Sequence, residues 1–154
     1  MNIGVVDTTF ARYDMGTLAV ETLKKHEPNS NIVRYTVPGI KDLAVACKRL
    51  FEEEQCDIVI ACGMVGPTQI DKICGHEAST ALSNVQLLTN KHILEVFVHM
   101  DESPNDKELV EIIKNRTRKH ALNALALLKG RTALTPFAGT GRRQGKEDVG
   151  PFAE

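Results

Sequence analysis

The stretch Asp57-Ile58-Val59-Ile60-Ala61-Cys62-Gly63 decides the fold of this chain. Its interior is continuously apolar and rich in β-branched residues, which is typical of a strand that is covered on both faces. Strands of that kind occur mainly in parallel sheets that carry helices on either side. The stretch therefore predicts a central strand of an α/β domain.

On either side of this stretch, strand patterns alternate with helical patterns. Strands are predicted at 2–7, 31–37, 57–63 and 93–98, and helices from residue 14 to Pro28 and over 42–54, 72–89 and 106–128. Right-handed helical crossovers join parallel strands, so we expect an α/β fold, a flavodoxin-like three-layer α/β/α sandwich with a four-stranded parallel sheet. Residues 1–128 form one domain, and we expect the Gly-rich, charged extension 129–154 to pack on a neighbouring subunit.

Composition and cysteine spacing argue against several classes of partner and location. The 154 residues have a formal net charge of −1, few aromatic residues and no Trp, which argues against nucleic acid as a partner. The first residues enter a strand directly, without a basic or long apolar segment, so we expect neither secretion nor a membrane span. The four cysteines show no C-x-x-C spacing, which argues against zinc and indicates a reducing, cytoplasmic location.

In an open parallel sheet, ligands bind beyond the carboxyl ends of the strands. This rule selects the segments 7–12, 37–42, 63–66 and 99–101. Phe10 is either an aromatic lid over a planar heterocycle, with Arg12 pairing a polar edge, or a ring tucked under its loop beside a solvated arginine. Pro38-Gly39 predicts a tight turn that a ligand can approach closely.

Three further positions carry titratable groups. Asp42 is a helix N-cap, a carboxylate that accepts hydrogen bonds from a chain of hydroxyls, or both through different oxygens. His76, followed by Glu77 early in the third helix, is either an acid/base group or a buried, hydrogen-bonded histidine. His99 and Asp101 end the fourth strand and could join His76 around a metal ion, although spacing does not prove it. No phosphate-binding loop and no G-x-S-x-G elbow is present.

Several segments, in order, give the chain a specific resemblance. They are Val-Val-Asp-Thr-Thr-Phe-Ala-Arg from Val5, Val-Pro-Gly-Ile-Lys-Asp-Leu from Val37, His-Glu-Ala-Ser from His76, Thr-Asn-Lys-His from Thr89, Val-Phe-Val-His from Val96 and Arg-Gln-Gly-Lys-Glu-Asp-Val-Gly-Pro from Arg143. With these segments the chain resembles the archaeal-type riboflavin synthases, relatives of lumazine synthase, essentially from end to end. The resemblance implies a lumazine synthase-like fold.

The resemblance also implies a reaction. Two molecules of 6,7-dimethyl-8-ribityllumazine would dismutate by transfer of a four-carbon unit, giving riboflavin and 5-amino-6-ribitylaminopyrimidinedione. It further implies a homopentamer with active sites between adjacent subunits, no tightly bound cofactor, and a divalent cation such as Mg²⁺ as an option. The alternatives are lumazine synthase itself and a non-catalytic flavin- or lumazine-binding protein.

The resemblance assigns roles to particular residues. Phe10 looks like the ring that stacks on the pteridine system, and Asp42 matches, with one carbon fewer, a glutamate that holds the ribityl hydroxyls. Phe97 looks like the residue that relatives offer across the subunit contact, and His76 like their acid/base histidine. Lumazine synthases carry an Arg-Gly-acid-Thr phosphate loop before that histidine, whereas this chain has Val-Gly-Pro-Thr from Val65. That departure weighs against lumazine synthase.

Together these interpretations define a predicted site. Proton transfer is assigned first to His76 and second to His99, and no residue is assigned as a metal ligand. Substrate binding is assigned to the residues Thr9, Phe10, Ala11, Arg12, Pro38, Gly39, Ile40, Lys41, Asp42, Gly63, Met64, Glu77, Phe97 and Asp101.

Overall fold

Strands and helices alternate along the whole chain. The structure is a computed structural model that describes residues 1–154. The elements are β1 (Asn2–Thr8), α1 (Met15–His26), β2 (Asn31–Val37), α2 (Leu43–Glu53), β3 (Ile58–Val65), α3 (Gln69–Thr89), β4 (Ile93–His99) and α4 (Asp106–Lys129). Short 3₁₀ turns lie at Ile40–Asp42, Met100–Glu102 and Thr135–Phe137. The predicted order of four strands and four helices is confirmed.

The four strands form one parallel sheet in the order β2-β1-β3-β4. Helices α1 and α4 pack on one face of this sheet, and α2 and α3 pack on the other. The predicted three-layer sandwich is therefore confirmed. The strand order reverses direction between β1 and β3, and the connections that follow these two strands diverge there, which opens a crevice at their carboxyl ends.

The stretch that predicted the fold lies at the centre of the core. Ile58, Ile60 and Cys62 are 0–1% exposed and pack toward α1 and α4. Val59 and Ala61 are fully buried and pack toward α2 and α3. Alternate side chains of one apolar strand thus fill two separate cores, which explains why its sequence shows no polar face.

Most elements differ from their predicted bounds by one to three residues, and the reasons are visible for β3 and α3. β3 continues to Val65, beyond the predicted end at residue 63, because Met64 pairs with Val98 and Val65 with His99 of β4. α3 begins at Gln69 because Thr68 and Asp71 form a capping box: the Thr68 hydroxyl accepts from the Asp71 amide at 3.2 Å, and the Asp71 carboxylate accepts from the Thr68 amide at 3.1 Å.

The C-terminal extension is held on α4 of its own chain between residues 143 and 148. Lys119 Nζ donates to the Arg143 carbonyl at 2.8 Å and to the Lys146 carbonyl at 3.2 Å. The Gly145 amide donates to Asn115 Oδ1 at 2.8 Å. The expected packing on a neighbouring subunit stays a prediction. None of the helices combines the length and the apolar character that a membrane crossing requires.

Candidate active site

A cleft of about 390 Å³ lies at the crevice between the carboxyl ends of β1 and β3. We call it the first cleft. The loops after β1, β2 and β3 and the first turns of α3 meet there. Its lining includes many of the predicted substrate-binding residues together with some that were not predicted: Phe10, Pro38, Gly39, Ile40, Lys41, Asp42, Met64, Val65, Gly66, Asp71 and Cys74.

The loop after β1 is fixed to the end of β2 by its backbone. The Thr9 amide donates to the Val37 carbonyl at 2.9 Å, and the Phe10 amide donates to the Pro38 carbonyl at 3.2 Å. The Thr9 hydroxyl also donates to the Pro38 carbonyl, at 3.2 Å. These bonds leave the Phe10 side chain 52% exposed at the cleft. An exposed ring over a cleft fits a stacking lid and not a ring tucked under its own loop.

Asp42 closes the turn that follows β2. Its Oδ2 accepts from the Gly39 amide at 3.1 Å, whereas its side chain makes no capping bond to α2. Asp42 therefore occupies the N-cap position of α2, but its side chain does not cap that helix. The carboxylate makes no other hydrogen bond within the chain and lines the first cleft, where it can accept hydrogen bonds from ligand hydroxyls.

A second cleft, of about 480 Å³, runs along the outer edge of β4 between α3 and α4. It contains both predicted proton-transfer residues, His76 from α3 and His99 from β4. Phe97 lies on the same face of β4 as His99. The full lining is Lys72, Gly75, His76, Ser79, Glu95, Phe97, His99, Arg116, His120 and Gln144.

Gly63 lies on β3 where side chains of the two clefts come close to each other. A Cβ atom at this position would lie 2.6 Å from Ile40 Cγ2 and 3.5 Å from Phe97 Cε1. Ile40 lines the first cleft and Phe97 lines the second. The missing side chain therefore lets apolar groups of both clefts approach the same point of β3.

Ion pairs hold the acidic residues around the clefts. Lys41 Nζ lies 2.7 Å from Glu77 Oε2, and Lys72 Nζ lies 2.5 Å from Asp101 Oδ2. The hydrogen bond from Lys41 lowers the pKa of Glu77, and the hydrogen bond from Lys72 lowers the pKa of Asp101. Both carboxylates therefore stay ionised at neutral pH, which suits them to orient the lysines and not to carry protons.

Ala11 and Arg12 are not brought into either cleft. The Arg12 amide contacts Met64 Sδ at 3.3 Å, and its side chain lines separate grooves beside Asp106 of α4 and near Arg34 of β2. The structure thus does not bring Arg12 beside Phe10. The direction of a loop side chain depends on the loop's path, which the sequence pattern does not encode.

The residues at the end of β4 do not fit a magnesium site within one chain. No three His, Cys, Asp or Glu side chains come close enough to hold a metal ion. Asp101 is paired with Lys72, and Glu102 accepts from Arg116 Nη1 at 2.7 Å and Nη2 at 2.8 Å. Carboxylates that are already neutralised by cations are poor ligands for a hard divalent ion.

Sequence analysis missed Glu95, Arg116 and His120, which line the second cleft. The signal for Glu95 was present, because it shares a strand face with Phe97 and His99 at a spacing of two residues. Arg116 and His120 lie four residues apart on α4, the spacing of one helix face, but nothing in the sequence shows that this face meets β4.

Comparison with known proteins gives consistent matches. The family described as 6,7-dimethyl-8-ribityllumazine synthase matches residues 1–131. A protein named riboflavin synthase from Methanothermobacter thermautotrophicus is 56% identical over 152 residues, covering 99% of each chain. One of the same name from Archaeoglobus fulgidus is 49% identical over 152 residues, with the same coverage. A 6,7-dimethyl-8-ribityllumazine synthase from Methanobrevibacter smithii is 36% identical over 98 residues, covering 60% of this chain and 70% of that protein.

Proposed function

The chain belongs to the 6,7-dimethyl-8-ribityllumazine synthase family, and we propose that within this family it acts as a riboflavin synthase. The observation that carries this proposal is the near full-length identity to proteins named riboflavin synthase, 56% and 49%, whereas the match to a lumazine synthase covers 60% of the chain. The absent Arg-Gly-acid-Thr phosphate loop supports it further. The chain is an enzyme, and we assign it to the transferases because a four-carbon unit passes between two substrate molecules.

The first task of such a site is to hold two flat, uncharged 6,7-dimethyl-8-ribityllumazine molecules in register. We assign ring stacking to Phe10 and hydroxyl binding to Asp42 and the backbone of the Pro38-Gly39 turn. Correct alignment of two reactants can supply an effective molarity of about 10⁵ M or more. Because the β1 loop is hydrogen-bonded to the end of β2, the ring and the turn are already oriented before the ligand binds.

The second task is proton transfer. The C7 methyl group of the lumazine is acidic for a methyl group, because the ring delocalises the carbanion. We assign proton transfer to His76, with His99 as the second choice, since both line the second cleft. A positioned acid or base of this kind contributes about 10²–10⁴-fold to the rate.

We propose that the active form is a homopentamer with its sites between adjacent protomers. Both clefts are open along one side, and Phe10 remains half exposed. Leu87 and Leu88 near the end of α3 are 82% and 73% exposed, which is unusual for leucines on a helix of a protein that works alone. A neighbouring protomer would cover such surfaces and could supply the second half of each site.

We also propose a cytoplasmic location. All four cysteines are free, and Cys47, Cys56 and Cys62 are buried. Burial raises the pKa of Cys47 to about 12, which keeps this thiol protonated and unreactive. Unpaired cysteines are typical of a reducing compartment. A requirement for Mg²⁺ also stays a proposal, and no step is assigned to the ion.

The test supplies the protein with 6,7-dimethyl-8-ribityllumazine alone and follows flavin fluorescence, with and without a chelator. A riboflavin synthase converts this single substrate into riboflavin and pyrimidinedione in equal amounts. A lumazine synthase would leave it unchanged and would instead form it from the pyrimidinedione and a phosphorylated four-carbon compound. A storage protein would bind the lumazine and return it unchanged after hours, and either result would refute the proposal.

A further inference from the structure

Glu95 carries a carboxyl group to which the proposed function assigns no role. It lies in β4 on the same face as Phe97 and His99 and lines the second cleft. Its Oε1 is buried and has no hydrogen-bond partner. Burial raises the pKa of Glu95, and the Ser79 hydroxyl and His99 oppose this effect only in part.

No cation neutralises this carboxyl group, although Lys72 and Arg116 line the same cleft. From α3, Lys72 is paired with Asp101. From α4, the Arg116 guanidinium donates to Glu102 and to the carbonyl groups of Phe97 and Gln144.

The histidines around Glu95 do not pair with it either. His120 from α4 has a buried, unpartnered Nδ1, and burial lowers the pKa of His120 to about 4, so it is neutral at pH 7. His76 and His99 line the same cleft from α3 and β4, and neither forms an ion pair with Glu95. The charged and titratable groups that share the cleft with Glu95 are therefore Lys72 and His76 from α3, His99 from its own strand, and Arg116 and the neutral His120 from α4.

A half-buried carboxyl group without a cation partner destabilises the fold, since its charged form loses hydration that nothing replaces. An apolar residue at this edge position would cost less. Perturbed carboxyl groups of this kind are concentrated at functional sites, where a raised pKa makes the carboxylate a stronger base than usual. The site proposed above has to move several protons, and one of them comes from a C–H bond of the C7 methyl group.

We propose that Glu95 is a third proton-transfer group, whose carboxylate removes a proton from the C7 methyl group of a bound 6,7-dimethyl-8-ribityllumazine. This inference rests on the proposed function. The methyl C–H bond breaks, an O–H bond forms at Glu95, and the electron pair of the C–H bond enters the π system of the pteridine. The carboxylic acid then returns its proton to solvent or to a later intermediate, so that the enzyme is unchanged after each turnover.

The test measures exchange of the C7 methyl protons in D₂O by NMR, together with riboflavin formation. The variants are Glu95→Gln, which keeps the shape but cannot accept the proton, and Glu95→Asp, which keeps a carboxylate. Glu21→Gln is the matched control, because Glu21 is an exposed carboxyl group on α1 that lines neither cleft. Fluorescence titration with the lumazine monitors binding separately.

We expect Glu95→Gln to slow both methyl exchange and turnover by about 10²-fold or more, with little change in lumazine binding. Glu95→Asp should recover part of both rates, and the control should match the wild-type chain. In the wild type, the acidic limb of the kcat/KM profile should lie above the ordinary carboxyl pKa, and Glu95→Gln should abolish that limb.

Wild-type exchange and turnover in Glu95→Gln would overturn the inference while leaving the proposed function intact. Equal loss of activity in Glu95→Gln and Glu95→Asp, with weakened lumazine binding in both, would also overturn it, because that pattern indicates a structural role. Failure of the wild-type chain to form riboflavin would instead refute the proposed function. If Glu95→Gln does not fold, the pH dependence of methyl exchange in the wild type and in Glu95→Asp decides, since a base of raised pKa requires a limb above the ordinary range.

Discussion

The pair formed by Asp7 and Arg34 should dominate the stability of the β1–β2 half of the sheet. Asp7 is 5% exposed, and its Oδ2 lies 2.5 Å from Arg34 Nη2. The Thr36 hydroxyl donates to Asp7 Oδ1 at 2.6 Å. Arg34 also reaches Asp14 Oδ1 at 2.7 Å, at the first turn of α1. Replacing Arg34 by Met keeps an unbranched apolar stem but leaves the buried Asp7 carboxylate without its cation.

Breaking a buried pair by removing one partner costs about 3–5 kcal/mol. Because the Arg34 side chain is 35% exposed, water screens part of this interaction, and we expect about 2–3 kcal/mol for Arg34→Met. Asp7→Asn should cost less than Arg34→Met, since the guanidinium of Arg34 then keeps its ion pair with Asp14. The double variant should cost clearly less than the sum, with a coupling of about 1–3 kcal/mol.

The assay is urea unfolding followed by circular dichroism, at one fixed protomer concentration, because the stability of an oligomer depends on concentration. The matched control is Arg49→Met, which removes an exposed i,i+4 pair with Glu53 on α2 and should leave the urea midpoint nearly unchanged. Strict additivity of the two single changes, or equal costs for Arg34→Met and Arg49→Met, would show that the Asp7–Arg34 pair does not carry the stability assigned to it.

Further predictions concern the clefts. Phe10→Ala should raise KM about tenfold with little change in kcat, because it removes stacking worth about 1–1.5 kcal/mol, and a fall in kcat alone would contradict this role. Asp42→Asn should also raise KM in the same steady-state assay, since a charge-assisted hydrogen bond to the substrate is lost. Gly63→Ala should cost about 1–3 kcal/mol in urea unfolding, because the new Cβ would lie 2.6 Å from Ile40 Cγ2, and an unchanged midpoint would argue against this close approach. Burial lowers the pKa of His120 from 6.5 to about 4, so between these pH values the unfolded chain binds a proton that the folded chain does not. The free energy of unfolding should therefore be full above pH 6.5 and should fall by about 1–3 kcal/mol as the pH drops toward 4. His120→Gln should reduce this pH dependence.

The sequence by itself determined the fold class, the order of the elements along the chain and the location of the first cleft. An apolar run such as 58–62 is stable where both of its faces are covered, as they are between two layers of helices, and the carboxyl ends of parallel strands lie at one edge of the sheet. These rules placed Phe10, Asp42 and the Pro38-Gly39 turn close together before any coordinates. Local signals also marked ends of elements: Asp14 caps α1 by accepting from the Thr17 amide at 3.0 Å. The Thr68 and Asp71 capping box at the start of α3 is a local signal of the same kind.

Tertiary structure alone decided which groups are buried and which way the loops turn. Glu95 looks like the solvent-facing residue of an alternating edge strand, and only the packing of α3 and α4 beside β4 removes water from it. Arg12 follows Phe10 in a polar loop, yet the path of that loop sends it to the opposite face of the sheet. Burial and direction depend on residues that are far apart in the chain, and a periodicity of two or of 3.6 residues encodes only the face of an element. What covers that face is fixed when distant elements pack together.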